Sequence, residues 1–169
     1  MSKILISGYY GFANAGDEAM LTAIIESLRQ VEKNVELTVL SGNPEDTAAK
    51  HQVCSVYRFN PLGIIRAMKD SELIISGGGS LLQDVTSKRS LLYYLSIIGL
   101  GKFFGKKVML FAQGIGPIRA KWARKLTSLV CNEADLITVR DSESAAELIE
   151  MGVKPCLLYT SPSPRDISG

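Results

Sequence analysis

Short apolar runs alternate along this chain with longer stretches in which apolar positions recur at helical spacing. Lys3–Ser7, Val35–Leu40, Leu73–Ser76, Val108–Ala112 and Leu136–Val139 are rich in β-branched and aliphatic residues and nearly free of charge. That pattern predicts strands covered on both faces. Cys54–Arg58 reads as a weaker strand. Between these runs the spacing predicts helices over Asp17–Glu32, Pro61–Lys69, Ser90–Phe104, Lys121–Asn132 and Ser142–Met151. In the first of them Leu21, Ile24, Ile25 and Leu28 fall on one face, and Asp17 and Glu18 occupy the first turn, where the helix dipole favours acids. Strand–helix units repeated in this way predict an α/β fold with an open, doubly wound, parallel sheet of Rossmann-like type.

The last fourteen residues, from Cys156 to Gly169, leave the pattern. They lack periodicity and carry Pro162 and Pro164 within three positions. The stretch resembles the translation of a transposase-type sequencing adapter, so residues 156–169 are expected to be a non-native or unstructured tail, with natural sequence ending near Pro155. Residues 1–155 are then one domain, which suits 169 residues in all.

Composition narrows the class without naming a function. Hydrophobic residues make up 46% and charged residues 21%, ordinary for a globular chain. A formal charge of +2 gives no argument for nucleic acid. Cys54, Cys131 and Cys156 have neither metal-ligand spacing nor an evident disulfide partner, which fits a reducing compartment. The N-terminus lacks the signature of a signal peptide, and no run reaches the ~20 apolar residues of a membrane span. A cytoplasmic protein is expected. Basic residues between Lys88 and Lys125 flank an apolar helix and Trp122. They read as a solvated rim, with a peripheral membrane contact as the second reading.

Four loops, each following a predicted strand, concentrate the unusual residues. The first is Gly8-Tyr9-Tyr10-Gly11-Phe12-Ala13-Asn14-Ala15-Gly16-Asp17-Glu18-Ala19. Its glycines miss the dinucleotide spacing, and Asp17 with Glu18 would repel a pyrophosphate at that helix start. Carboxylates there suit sugar hydroxyls, a proton transfer or a metal; alternatively Asp17 is only a helix cap. The second, Ser76-Gly77-Gly78-Gly79-Ser80-Leu81-Leu82-Gln83-Asp84, can bring backbone N–H groups against an anion, but lacks the Gly-Lys-Ser/Thr ending of a nucleotide phosphate loop. In the third, Gln113-Gly114-Ile115-Gly116-Pro117, Gln113 is a candidate hydrogen-bonding group for sugar or phosphate. In the fourth, Arg140-Asp141-Ser142, Arg140 offers a planar guanidinium to a carboxylate or phosphate; Asp141 and Ser142 start the last helix, with Ser142 as N-cap or Asp141 in a capping role. His51, the only histidine, reads as a surface residue away from every strand end.

Together and in this order, the four motifs resemble the polysaccharide pyruvyl transferases, with the nearest likeness to the cell-surface-anchoring, CsaB-like type, over residues 3 to about 155. The resemblance implies the N-terminal half of a glycosyltransferase-B-like two-domain enzyme, whose C-terminal domain is missing from this chain. It implies transfer of pyruvate from phosphoenolpyruvate, the donor substrate, to a cell-wall glycan acceptor as a ketal that anchors surface-layer proteins. No cofactor, metal or nucleic acid is implied, and the acceptor is expected as a lipid-linked precursor at the inner face of the plasma membrane. Asp17 and Glu18 are the catalytic candidates. Tyr10, Asn14, Gly16, Gly78, Gly79, Ser80, Gln83, Gln113 and Arg140 are the substrate-binding candidates, Arg140 for phosphoenolpyruvate. The family's remaining cationic donor residues, among them a histidine and a lysine, belong to the second domain, so the fragment is expected to be inactive alone. Half of a sugar-nucleotide glycosyltransferase and a non-catalytic glycan-binding module stay open as alternatives.

Overall fold

The computed structural model describes residues 2–77, 79–82 and 88–160. Among these, eight strands and six α-helices alternate: β1 Lys3–Ser7, α1 Ala15–Val31, β2 Glu36–Ser41, α2 Pro44–His51, β3 Cys54–Tyr57, α3 Pro61–Asp70, β4 Leu73–Ser76, β5 Gly79–Leu82, α4 Lys88–Phe103, β6 Lys107–Ile115, α5 Lys121–Cys131, β7 Leu136–Val139, α6 Ser142–Met151 and β8 Leu158–Thr160. Every recorded strand pair is parallel, and the sheet runs β3-β2-β1-β4-β6-β7-β8, with β5 paired to β6 off this path. The doubly wound α/β architecture is as the apolar pattern predicts.

The pleat distributes the core to both faces, because successive side chains on a strand point to opposite sides. Ile4 and Ile6 of β1 join Leu37, Val39 and Ile75 in packing against Leu21, Ile24 and Ile25 of α1. Leu5, Leu40 and Ile74 fall in a second cluster with Ile64 and Met68 of α3 and Leu91, Leu95 and Ile98 of α4. Burying a Leu or Ile contributes about 1.5–3 kcal/mol each, so two such layers hold the sheet from both sides.

Three elements differ from expectation. Asn43-Pro44 opens α2, which the polar sequence concealed; Asn43 accepts from the Asp46 N–H, and Pro44 supplies a helical φ at the first position. The Gly-rich turn after β4 leads into a strand, β5, rather than directly into a helix. β6 runs to Ile115, past the expected end at Ala112, through a bulge. The register with β7 shifts between Leu110 and Gln113, Ala112 has φ +50°, and its N–H is met by the Thr138 hydroxyl at 2.7 Å. Within the C-terminal segment set apart on sequence, Leu158–Thr160 pair with Ile137–Val139 as β8.

The chain order fixes where a ligand can lie. From β1 the sheet winds outward to β2 and β3, then returns to place β4 on the other side of β1. Loops leaving the C-terminal ends of β1 and β4 therefore diverge at a topological switch point, the usual ligand crevice of an open α/β sheet.

Candidate functional site

The loop from Gly8 to Asn14 is held by close contacts that only small residues allow. Tyr10 is fully buried, its ring wedged between Gly8 and Gly77 so that a Cβ on either glycine would collide with it. Gly11 has φ +84°, and a Cβ there would strike Ser41 and the Asn43 N–H. The carbonyl of Tyr10 accepts from the Gly42 N–H at 2.9 Å. Expected to touch substrate, Tyr10 instead welds the β1 loop to the β4 loop: with no accessible surface it has nothing to offer a ligand. Its hydroxyl has no hydrogen-bond partner among the described residues, and burial, then the charge of Asp17, drive its pKa upward.

Asn14 is the N-cap of α1. Its side-chain oxygen accepts from the N–H groups of Gly16 and Asp17 at 3.1 and 3.2 Å. This spends the two groups on the helix start and frees Asp17 from capping it. The carboxylate of Asp17 accepts no hydrogen bond among the described residues. Burial first, and the adjacent Glu18 second, raise its pKa above the ordinary aspartate range. Glu18 has the opposite environment. One carboxylate oxygen accepts the Gly11 N–H at 2.9 Å and the other meets His51 Nε2 at 3.0 Å. Burial alone would raise its pKa, but these two bonds and the nearby charges of His51 and Lys50 outweigh it and hold the carboxylate below its usual value.

His51 is therefore not the surface residue that its polar neighbourhood suggests. Its side chain is 7% exposed, and the Arg29 guanidinium holds the end of α2 through the carbonyls of His51 and Gln52. The helix-start signal Asn43-Pro44-Glu45-Asp46 was the clue that could have brought His51 to α1.

Of the second motif, Gly78 and Gln83 lie outside the described residues, and the side chain of Ser80 is likewise not described. Gly79 opens β5 opposite Gln113. Gln113 itself is fully buried and donates to the carbonyls of Ser76 and Gly77 at 3.0 and 2.7 Å. The β6 bulge turns it inward, so it pins the end of β4 and presents no amide to a ligand.

Arg140 follows β7, its backbone N–H bonded to the Gln113 carbonyl at 2.9 Å. The guanidinium lies over Gly114, where a Cβ would displace it, and 3.6 Å from the Asp141 carboxylate. Asp141, not Ser142, caps α6: it accepts the Ser144 N–H at 2.8 Å, which with the Ser144 hydroxyl lowers its pKa. Arg140 and Asp141 line an open cleft of about 410 Å³ shared with Gly116, Pro117 and Arg124. Arg124 is committed within it to Glu147 at 2.6 Å and to the Ile118 carbonyl.

The loops after β1 and β7 both open on the C-terminal edge of the sheet, three strand positions apart, or about 14 Å at the usual strand spacing. Asp17 and Arg140 thus belong to two separate loops of one sheet edge. No group of three metal-ligating side chains occurs among the described residues, and no helix among them is long and apolar enough to cross a membrane.

A family model described as polysaccharide pyruvyl transferase matches residues 14–164. Among solved structures, Anabaena HepE in complex with UDP-glucose is similar with a TM-score of 0.62 at 15% identity, covering 99% of this chain and 48% of that one. The lipopolysaccharide outer core galactosyltransferase WaaB gives 0.57 at 15%, covering 95% and 46%. The S. aureus MnaA–UDP structure gives 0.55 at 13%, covering 96% and 45%. Curated proteins give no match. The chain thus spans about half the length of these solved structures, and at such identities the likeness shows the fold, shared with glycosyltransferases of the B type.

Proposed function

The chain belongs to the polysaccharide pyruvyl transferase family, and from that premise we propose that it forms the acceptor-side half of an enzyme moving pyruvate from phosphoenolpyruvate onto a cell-surface glycan as a cyclic ketal. The observation that carries the reading is the different settings of two adjacent carboxylates at the switch point. Glu18 accepts the Gly11 N–H and meets His51, which lower its pKa, whereas Asp17 accepts no hydrogen bond among the described residues and its pKa is raised. Neighbouring titratable groups pushed apart by their surroundings mark an acid–base assignment.

In this reaction the methylene carbon of phosphoenolpyruvate gains a proton, and positive charge develops at C2. One sugar hydroxyl forms a C–O bond there and gives up its proton. A second hydroxyl forms the other C–O bond as the bond from C2 to the phosphate oxygen breaks; phosphate leaves with the electron pair and takes up the proton of that hydroxyl. Asp17 takes the proton of the attacking hydroxyl, a role for which a raised carboxylate is suited. Arg140 pairs with the carboxylate or phosphate of the donor from the far side of the crevice. The remaining donor contacts and the ketal's place in a cell-wall or surface-layer glycan follow from the family resemblance.

The full-length protein, given phosphoenolpyruvate and a glycoside of N-acetylmannosamine, the sugar of the cell-wall polymer that the family resemblance implies as acceptor, is expected to release phosphate and form a ketal methyl group visible by NMR, in equal amounts. Consumption of a UDP-sugar in place of phosphoenolpyruvate would replace this reading with sugar-nucleotide glycosyl transfer. Glycan binding with neither reaction would leave a binding module.

A further inference from the structure

Arg58, just beyond β3, is 5% exposed, and its Nε has no hydrogen-bond partner among the described residues. No carboxylate faces it among the described residues; five aromatic rings do. Its guanidinium carbon lies 5.9 Å from the Tyr9 ring centre, 5.2 Å from Phe12, 4.8 Å from Phe59, 4.6 Å from Tyr93 and 5.8 Å from Tyr94. The ring faces attract the desolvated cation, each by up to ~2 kcal/mol when buried, and the guanidinium also acts on the Tyr93 and Tyr94 hydroxyls, opposing the rise that burial gives their pKa. The rings come from three separate places, the β1–α1 loop, the β3–α3 connection and α4, so Arg58 is the hub that gathers them. Its backbone is fixed as well: its N–H donates to the Ser41 carbonyl and its carbonyl accepts the Tyr93 hydroxyl at 2.7 Å.

What the hub supports is exposed. Tyr9 and Phe12 stack with centroids 4.3 Å apart and planes 12° from parallel, yet remain 39% and 41% exposed. Phe59 and Tyr57, packed edge to face, continue the aromatic surface toward β3 and are exposed too. Large rings stacked, anchored and left in water are pre-organised for a partner, because little rotamer entropy remains to be lost. The same loop carries Gly11, whose N–H Glu18 holds, so the rings stand beside the carboxylate pair.

We propose that the Tyr9–Phe12 stack, extended by Tyr57 and Phe59, is a glycan-stacking track for the acceptor. A pyranose has an apolar C–H face that lies flat on a ring and a hydroxyl rim that suits the tyrosine hydroxyls and nearby acids. The acidic flank opposes an anionic lipid surface, and the basic residues such a surface would need lie between Lys88 and Lys125 instead. The inference rests on the acceptor-side reading of the β1 loop. Arg58 is a positioning residue, acting through the rings.

The test uses the full-length protein with ring-labelled Tyr and Phe, titrated with the methyl glycoside of N-acetylmannosamine in the absence of phosphoenolpyruvate. Expected are saturable shifts of the Tyr9 and Phe12 ring signals and saturation transfer to the sugar C–H protons. Tyr9→Ala and Phe12→Ala should each weaken binding about 5- to 10-fold, the size of one aromatic contact, and raise KM for the acceptor with kcat unchanged. Arg58→Met should broaden the ring signals and weaken binding by a similar factor; should it fail to fold, the two surface variants still decide. Absence of saturable binding, unmoved rings, or unchanged affinity in both alanine variants would overturn the track. Ring-dependent sugar binding without ketal formation would leave the track standing and remove the pyruvyl-transfer reading instead.

Discussion

Glu18→Ala removes a side chain that ties α1, the β1 loop and α2 together. It deprives the Gly11 N–H of its acceptor at 2.9 Å and His51 of its partner at 3.0 Å. Hydrogen bonds to a charged group contribute ~1.5–3 kcal/mol each, and partial exposure of Glu18 places both at the lower end, so about 2–3 kcal/mol should be lost. For a domain of this size that lowers Tm by roughly 4–10 °C. Glu18→Gln, which can still accept from Gly11, should lose less than half as much. The pH dependence has a definite sign. The folded-state pKa of Glu18 is depressed, so its contribution is complete above the unfolded value of about 4.3 and fades as pH falls through the lower folded value. Melting curves followed by circular dichroism should show wild type and Glu18→Ala converging in acid and diverging toward neutrality. Amide exchange at Gly11 should accelerate in the variant. A Tm difference independent of pH, or an unaltered Gly11 exchange rate, would refute the argument that this carboxylate holds the loop.

Asp17 should behave in the opposite way. Its folded pKa is raised, so ionisation opposes folding as pH rises through that value, and Asp17→Asn should melt higher than wild type at neutral pH while losing ketal formation. A drop in Tm would show that the carboxylate is structural. Tyr10→Phe removes a buried hydroxyl without a partner and should be neutral or stabilising by up to about 1 kcal/mol in urea titration. Gly77→Ala, which drives a methyl group into that hydroxyl, should destabilise by about 1–3 kcal/mol, and the double variant should recover part of the loss. Arg140→Ala should raise KM for phosphoenolpyruvate, and Arg140→Lys should not restore it, because an ammonium cannot reproduce a two-pronged contact. Equal kinetics for wild type and both variants would dissociate Arg140 from the donor.

The sheet was legible because strands covered on both faces cannot hide their composition: Ile4-Leu5-Ile6 and Leu73–Ser76 read the same in sequence and structure. The helix α1 was legible for the complementary reason, its Leu21, Ile24 and Ile25 stripe being set by contact with one face of that sheet. What escaped were features that depend on contacts distant in sequence. α2 has a mostly polar surface and one buried residue, Thr47, so periodicity was silent and only the Asn-Pro start spoke for it. Gln113 follows an apolar strand before two glycines, a setting that suggests a ligand. The bulge that turns it inward is a property of the β6–β7 register, which no local pattern encodes. His51 and Glu18 are separated by 33 positions, and nothing short of placing α2 beside α1 brings them together.

These misplaced residues have a common physical logic. A polar group at a sheet edge either satisfies the backbone that shapes the crevice or faces what enters it, and a single side chain rarely does both. Asn14, Glu18 and Gln113 take the first task, using their acceptors and donors on Gly11, Gly16, Asp17, Ser76 and Gly77. Tyr10 and Arg58 do the same through packing, one between two glycines and the other among five rings. Because these residues absorb the hydrogen-bonding demands of the β1 and β4 loops, Asp17 can remain unengaged and raised, and Tyr9 and Phe12 can remain exposed. Gly8 and Gly77 work here as clearance for a tyrosine, and Gly114 as a floor for Arg140. A loop built that way is held in place before any ligand arrives, as the proposed ketal formation, which aligns two hydroxyls of one sugar at one carbon, would require of its acceptor side.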